Sequence, residues 1–146
     1  MILTLVLLAQ AIVEPAAVPA TTADEEIVVT ARKLSNRWVG VVEIKGEVVT
    51  KDDPATCRTR RSTGDAEFDA LGCEAMLACY PQFWPQIVAQ TKIEIAAGRI
   101  KTKEDMERAH KTGKLRAIYK DFNQCAWSIL RVSIRNEIMR RKEQGG

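Results

Sequence analysis

Histidine and aromatic residues are scarce in this sequence, and their scarcity narrows the chemistry that it can support. His110 is the one histidine among 146 residues, and it lies in the charged stretch 107–111, which is typical of an exposed helix face. A Ser-His-Asp or Cys-His catalytic arrangement would therefore depend wholly on His110. Aromatic residues make up only 5% of the chain, so the core must rely on aliphatic side chains. We predict no catalytic residue and no cofactor, and we expect the protein not to be an enzyme.

Lysine and arginine are absent from residues 1–31, which contain four acidic residues. All 22 basic residues follow, against 15 acidic ones, so the rest of the chain carries a net charge of +7. A basic domain can meet nucleic acid, anionic lipid or an acidic partner. A solvated basic surface is the commoner meaning of such a charge, and we favour it.

The amino terminus has the pattern of a secretory signal peptide. An apolar run over residues 2–8 is followed by small-residue cleavage patterns that end at Ala11 and Ala20. The run is too short to span a bilayer, which takes about 20 apolar residues. A buried amino-terminal strand is the alternative, but the proline- and alanine-rich stretch that follows would break it. We therefore predict a signal peptide over residues 1–20, cleaved after Ala11 or Ala20, and a periplasmic or secreted protein. Membrane contact is expected only through this peptide before cleavage, and we expect no nucleic-acid partner.

Beyond the leader, the sequence predicts a flexible arm over residues 21–36 and a single disulfide-bonded α+β domain over residues 37–146. Residues 38–50 are rich in Val, Ile and Trp and contain a Lys45-Gly46 turn signal, which predicts a β-hairpin. Residues 56–60 are a candidate for a further strand. The predicted fold is therefore mostly helical, with a small amino-terminal β-hairpin or short sheet.

About four helices are expected after the strands. The first runs from Ala66 to about Cys79 and stops before Pro81, and the second begins at Pro85 and ends near Gly98. Thr102 and Asp105 frame a third, short helix that ends at Gly113, and the last helix covers about residues 114–142. Its apolar residues recur at helical spacing, and its basic carboxyl end suits the helix dipole.

The four cysteines lack the spacing of metal or redox sites. A zinc site, a c-type haem or a redox-active pair would each favour a C-x-x-C motif, which is absent. An even number of cysteines behind a signal peptide predicts two disulfides among Cys57, Cys73, Cys79 and Cys125. Cys73 and Cys79 share one predicted helix, where their Cα atoms lie about 9 Å apart, beyond the reach of a disulfide. Of the two remaining pairings we prefer Cys57–Cys73 with Cys79–Cys125.

Asp65, Glu67 and Asp69 form an acidic group at the start of the first predicted helix. Acidic residues stabilise a helix amino terminus, so capping is the default interpretation, with Asp65 itself or Ser62 as the cap. A carboxylate pair of a glycoside hydrolase is the catalytic alternative. The aromatic residues at 83–84 and Trp127 are more often core, but they are candidates for lining a pocket.

Residues 57–73 read CRTRRSTGDAEFDALGC and resemble a segment of the TonB carboxy-terminal domain of sphingomonad-type alphaproteobacteria. There a strand leads through C-x-V-x-x-S-S-G-x-x-x-L-D-x-x-x-C into a helix. The matching positions are Cys57, Ser62, Thr63, Gly64, Phe68, Asp69 and Cys73. The resemblance covers about residues 46–79, after which TonB continues with two strands while this chain becomes helical. The sequence looks closer to small exported proteins of sphingomonads that share this motif.

Residues 25–31, Glu-Glu-Ile-Val-Val-Thr-Ala, resemble the TonB box of outer-membrane receptors. In receptors this strand pairs with the edge of the TonB sheet. The resemblance implies a candidate partner-binding strand formed by Glu26, Ile27, Val28, Val29, Thr30 and Ala31. A β-prone linker or an edge strand of the domain itself is the simpler interpretation, and we favour it.

These features together suggest an exported, non-enzymatic interaction or binding domain. Its partner would be an unknown protein, with a TonB-type domain as the candidate, which would link the chain to TonB-dependent transport. The alternative is a small periplasmic hydrolase or cell-wall-acting enzyme that uses the acidic residues 65–69. A third hypothesis, an inhibitor or lipid-binding protein, would use the basic last helix.

Overall fold

The computed structural model describes residues 18–47 and 49–145, and in these residues the chain forms four helices and one two-stranded sheet. In chain order the elements are α1 (Val18–Arg37), β1 (Val39–Glu43), β2 (Thr56–Arg61), α2 (Ala66–Ala96), α3 (Lys103–Ala109) and α4 (Gly113–Gly145). The predicted α+β class, mostly helical with a small amino-terminal sheet, is confirmed. The predicted signal peptide lies mostly outside the described residues. No helix in the described part of the chain is long and apolar enough to span a membrane.

Helix α1 occupies the segment for which the sequence predicted a flexible arm. Residues 25–31 lie within this helix, where Ile27, Ala31 and Ser35 are buried at a spacing of four residues. The packing of this face against α4 outweighs the β-propensity of the Ile-Val-Val run, because tertiary burial contributes more than local preference. The prediction of a flexible arm over residues 21–36 is therefore wrong, and the packed domain begins before residue 37.

The sheet pairs β1 with β2, in antiparallel register from Val39 opposite Arg61 to Glu43 opposite Thr56. The predicted hairpin within residues 38–50 is wrong in its second strand. Strand β1 pairs instead with β2, where the sequence offered residues 56–60 as a candidate for a further strand. Two contacts hold β2 in this place. The indole Nε1 of Trp38 donates a hydrogen bond to Thr59 Oγ1 at 3.1 Å, and Cys57 is bonded to α2.

Helix α2 continues through Pro81 and Pro85, so the predicted break between two helices is wrong. Each proline removes one backbone hydrogen bond donor from the helix. The buried face nevertheless runs on past Cys79 to Phe83 and Ile87. Because these side chains on both sides of Pro81 belong to the same core as α4, burial keeps the helix in one piece.

Both preferred disulfides are confirmed. Cys57–Cys73 joins β2 to α2 with Cα atoms 5.5 Å apart, and Cys79–Cys125 joins α2 to α4 with Cα atoms 6.2 Å apart. Helices α2 and α4 share the most extensive contact between any two elements and enclose the core. The start of α2 meets the end of α4 through Asp65 and Arg141, so the two helices run antiparallel.

Candidate binding cleft

A cavity of about 230 Å³ lies where β1, α2 and α4 meet. We call it the aromatic cleft, because five of the eight aromatic side chains of the chain line it. Its lining residues are Gly40, Val41, Val42, Ile44, Met76, Tyr80, Phe83, Trp84, Ile87, Tyr119, Phe122 and Asn123. In a chain so poor in aromatic residues, this concentration distinguishes the cleft from the rest of the core.

The aromatic cleft is uncharged but contains several polar side-chain groups. Among the described residues, no Lys, Arg, Asp, Glu or His lines it, and the polar side-chain groups come from Tyr80, Tyr119, Asn123 and the indole N–H of Trp84, which is bonded to Glu47. Burial raises the pKa of Tyr119, so that its hydroxyl stays protonated and able to donate a hydrogen bond. An apolar lining with a few placed polar groups is the usual character of a small-molecule site.

The walls of the cleft are covalently held. The Cys79–Cys125 disulfide joins α2 to α4 beside the lining residues of both helices. The rings of Phe83 and Phe122 also meet edge to face, with centroids 6.1 Å apart. A cavity between two cross-linked helices is preformed, which lowers the cost of ordering it when a ligand binds.

The loop between β1 and β2 borders the cleft and is fastened to α2 at Glu47. The indole Nε1 of Trp84 donates a hydrogen bond to the backbone oxygen of Glu47 at 3.1 Å, and Lys92 Nζ lies 2.7 Å from Glu47 Oε2. Both partners of the ion pair are about 61% exposed, and such pairs contribute at most about 1 kcal/mol. The indole hydrogen bond therefore also matters for holding the loop against the cleft.

A second depression, of about 480 Å³, adjoins the aromatic cleft and shares Tyr119 and Asn123 with it. We call it the cationic groove, because its other lining residues include Arg116, Lys120 and Arg131 and none is acidic; the remainder are His110, Gln124 and Trp127. The His110 ring lies 4.6 Å from the Tyr119 ring between centroids. Partial burial lowers the pKa of His110, against the opposing effect of Glu107.

The acidic residues 65–69 are engaged in structural contacts. Asp65, one of the two candidate caps that the sequence offered, caps α2 by accepting hydrogen bonds from the backbone N–H groups of Glu67 and Phe68. Its carboxylate also lies 2.6 Å from Arg141 Nη1, and this bond is the main cause of its pKa falling to about 2. Glu67 accepts a 2.6 Å hydrogen bond from the same arginine, whose guanidinium stacks 4.5 Å above the Phe68 ring.

Asp69 accepts hydrogen bonds from Ser62 and from the backbone and side chain of Thr63. Burial alone would raise its pKa, but these hydrogen bonds outweigh that effect and lower it. A general acid of a hydrolase needs a raised pKa, which is the opposite of what Asp65 and Asp69 have. Asp65 and Glu67 therefore join the start of α2 to the end of α4, whereas Asp69 holds the turn that precedes α2.

The residues proposed from the TonB-box resemblance face two ways on α1. Ile27 and Ala31 are buried, whereas Glu26, Val28, Val29 and Thr30 are exposed. They do not form a strand in this structure. Pairing with a sheet edge would require α1 to unwind and to withdraw two side chains from the core.

Of the aromatic residues proposed as pocket-lining, Phe83 and Trp84 line the aromatic cleft and Trp127 lines the cationic groove. Sequence reasoning missed Tyr80, Tyr119 and Asn123, which reach the cleft from two different helices. The aromatic pair at 83–84, four residues after Cys79, was the local signal for this site. Among the described residues, no group of three His, Cys, Asp or Glu side chains is arranged to hold a metal ion.

A scan against protein-family models and searches of the curated proteins and of the solved structures returned no match to this chain.

Proposed function

We propose that this chain is an exported, non-enzymatic binding domain that holds an apolar group of a ligand in the aromatic cleft. The observation that carries the proposal is the gathering of five aromatic side chains around an uncharged cavity with rigid walls. An apolar cavity of about 150 Å³ is large enough to bind benzene, so a cleft of about 230 Å³ accepts one aromatic ring or a short alkyl chain.

Export is supported by the two disulfides together with the leader pattern. Disulfides persist in oxidising compartments such as the periplasm and are rare in the cytosol. Since all four cysteines are bonded, none is left as a nucleophile.

The size of the cleft sets the expected affinity. At about 0.8 kcal/mol per buried methylene, five methylenes would contribute about 4 kcal/mol, which corresponds to a dissociation constant of about 1 mM. 1-Octanol is a suitable neutral probe, and nuclear magnetic resonance detects binding in this range. The three indole N–H groups act as built-in reporters. Trp84 lines the cleft, Trp127 lies in the cationic groove, and Trp38 lines neither and donates its N–H to Thr59.

We expect 1-octanol to shift the indole N–H signal of Trp84 in a saturable manner and to leave that of Trp38 unchanged. Ile44→Trp places a larger side chain in the cleft lining and should abolish this shift. Val39→Trp is the matched control, because Val39 lies on the same segment, is 39% exposed and does not line the cleft. Equal octanol binding by the two variants, or no saturable shift in the unmodified protein, would contradict the proposal.

A link to TonB-dependent transport stays a hypothesis, motivated by the resemblances at residues 25–31 and 57–73. It requires residues 26–31 to leave α1 and pair as a strand. Titration of a peptide of residues 21–36 into a purified TonB domain tests it, and the absence of any chemical-shift change at millimolar peptide would remove it.

The hydrolase alternative requires Asp65 or Glu67 to act while bound to Arg141. Its evidence would be hydrolysis of cell-wall glycans by the unmodified protein, together with loss of this activity in Asp65→Asn.

A further inference from the structure

The cationic groove lies beside the aromatic cleft and carries charge that the protein does not neutralise there. Arg116, Lys120 and Arg131 line it, and none of the acidic residues that the structure describes does. Among the described residues, the ion pairs involve other basic side chains, so these three have no carboxylate partner within 4 Å. An anionic group would find uncompensated positive charge in this groove.

The cleft and the groove are connected through shared side chains. Tyr119 and Asn123, one turn apart on α4, belong to the lining of both. A ligand whose apolar part occupies the cleft therefore has the cationic side chains of the groove next to it, beyond Tyr119 and Asn123. The hydroxyl of Tyr119 and the amide of Asn123 supply hydrogen bond donors at the boundary.

Resting on the proposed function, we infer that the ligand is an anionic amphiphile. Its apolar tail would occupy the aromatic cleft, and its carboxylate or phosphate head would lie in the cationic groove near Arg116 and Lys120. The lowered pKa of His110 leaves this side chain neutral, so the positive charge of the groove comes from the arginine and lysine side chains. The same chemistry is offered by a free short-chain acid and by an anionic lipid in a membrane.

Three probes with one tail and different heads separate the contribution of charge from that of the cleft. Octanoate, 1-heptanol and heptylammonium, which share a seven-carbon tail, are titrated into the full chain at low salt, and the indole N–H signals of Trp84 and Trp127 are followed. We expect all three to shift Trp84 and only octanoate to shift Trp127 as well. Octanoate should bind about fivefold more tightly than 1-heptanol, since exposed charge contacts contribute modestly, and added salt should remove this advantage.

The double variant Arg116→Gln/Lys120→Gln should lose the preference for octanoate and keep its affinity for 1-heptanol. Arg135→Gln/Lys142→Gln is the matched control, because it also removes two exposed charges from α4, outside the groove, and should change neither affinity. Equal affinity for all three probes would overturn the inference and leave the binding cleft intact. No shift of Trp84 with any probe would overturn the proposed function as well.

Vesicles distinguish the two sources of the anion. Co-sedimentation is measured with phosphatidylcholine vesicles and with vesicles that also contain phosphatidylglycerol. Octanoate binding without sedimentation supports a free acid as the ligand, and octanoate binding together with sedimentation on anionic vesicles supports a lipid. Sedimentation on anionic vesicles without octanoate binding would overturn the inference, because the basic surface would then act without the cleft.

Discussion

At the scale of single residues, Asp65 is a carboxylate whose ionised form stabilises the fold. Its pKa falls from 3.8 to about 2, chiefly through the hydrogen bond from Arg141. Because the folded-state pKa lies below the unfolded one, ionised Asp65 stabilises the protein above about pH 4, and this stabilisation is lost as the pH falls towards about 2. The shift corresponds to about 2 kcal/mol at most, and solvent screening at this partly exposed site reduces it to about 1 kcal/mol.

Asp65→Asn removes the charge but keeps a good amino-terminal cap, so it isolates the ion pair from the cap. We expect urea unfolding to show that the unmodified protein loses about 1 kcal/mol more stability than Asp65→Asn between about pH 4 and pH 2. Asp121→Asn, at an exposed position of α4, should follow the unmodified protein. An identical loss in Asp65→Asn and the unmodified protein would show that Arg141 does not stabilise the ionised carboxylate.

At the scale of elements, the sequence predicted what depends on neighbours along the chain. Asp65 was one of two candidate caps of α2, and Thr102 and Asp105 were placed at the start of α3, because the groups that interact there lie within three residues of each other. Helix α1 was missed because its buried face is completed only by α4, about a hundred residues later. The predicted break at Pro81 was wrong for the same reason. The sequence around Pro81 shows only the cost of the missing helix hydrogen bond, and the packing of α2 on α4 that offsets this cost involves distant residues.

The close approach of α2 to Trp38 depends on Gly72. A Cβ atom built on Gly72 would fall inside the Trp38 ring system, nearer than any real contact, and the same holds for Gly40 on β1. Gly72→Ala gains about 1 kcal/mol of helix propensity. The added methyl group would however press on the Trp38 ring, which is buried and has little room to move, and such overpacking costs about 1–3 kcal/mol. We expect a net loss of about 1 kcal/mol in the free energy of unfolding by urea.

Gly145→Ala is the control for this substitution, because a Cβ there meets nothing, and we expect it to be neutral or slightly stabilising. Trp38→Phe should weaken the effect of Gly72→Ala when the two are combined, since the smaller ring leaves space. Additive effects of the two substitutions would mean that Gly72 and Trp38 do not meet in solution.

At the scale of the whole molecule, the aromatic cleft is a product of long-range assembly. Phe83 and Trp84 were recognisable as pocket candidates from their own segment, but Tyr119 and Asn123 reach them only through the register between α2 and α4. The Cys79–Cys125 disulfide sets that register, and its pairing was predicted correctly. The sequence did not show which side chains of α4 would face the cleft, because that depends on how α1 and α2 pack on the other faces of α4.

The two disulfides should differ in what they contribute. They close loops of 46 and 16 residues, and chain entropy then predicts about 4 kcal/mol for Cys79–Cys125 and about 3 kcal/mol for Cys57–Cys73. We therefore expect Cys79→Ala/Cys125→Ala to lose more stability in urea unfolding than Cys57→Ala/Cys73→Ala. Under conditions where both variants are folded, only the former should bind 1-octanol more weakly, because its bond lies beside the cleft. Equal weakening of 1-octanol binding in both variants would mean that each disulfide acts on the cleft only by stabilising the whole fold, and that Cys79–Cys125 has no specific effect on the cleft.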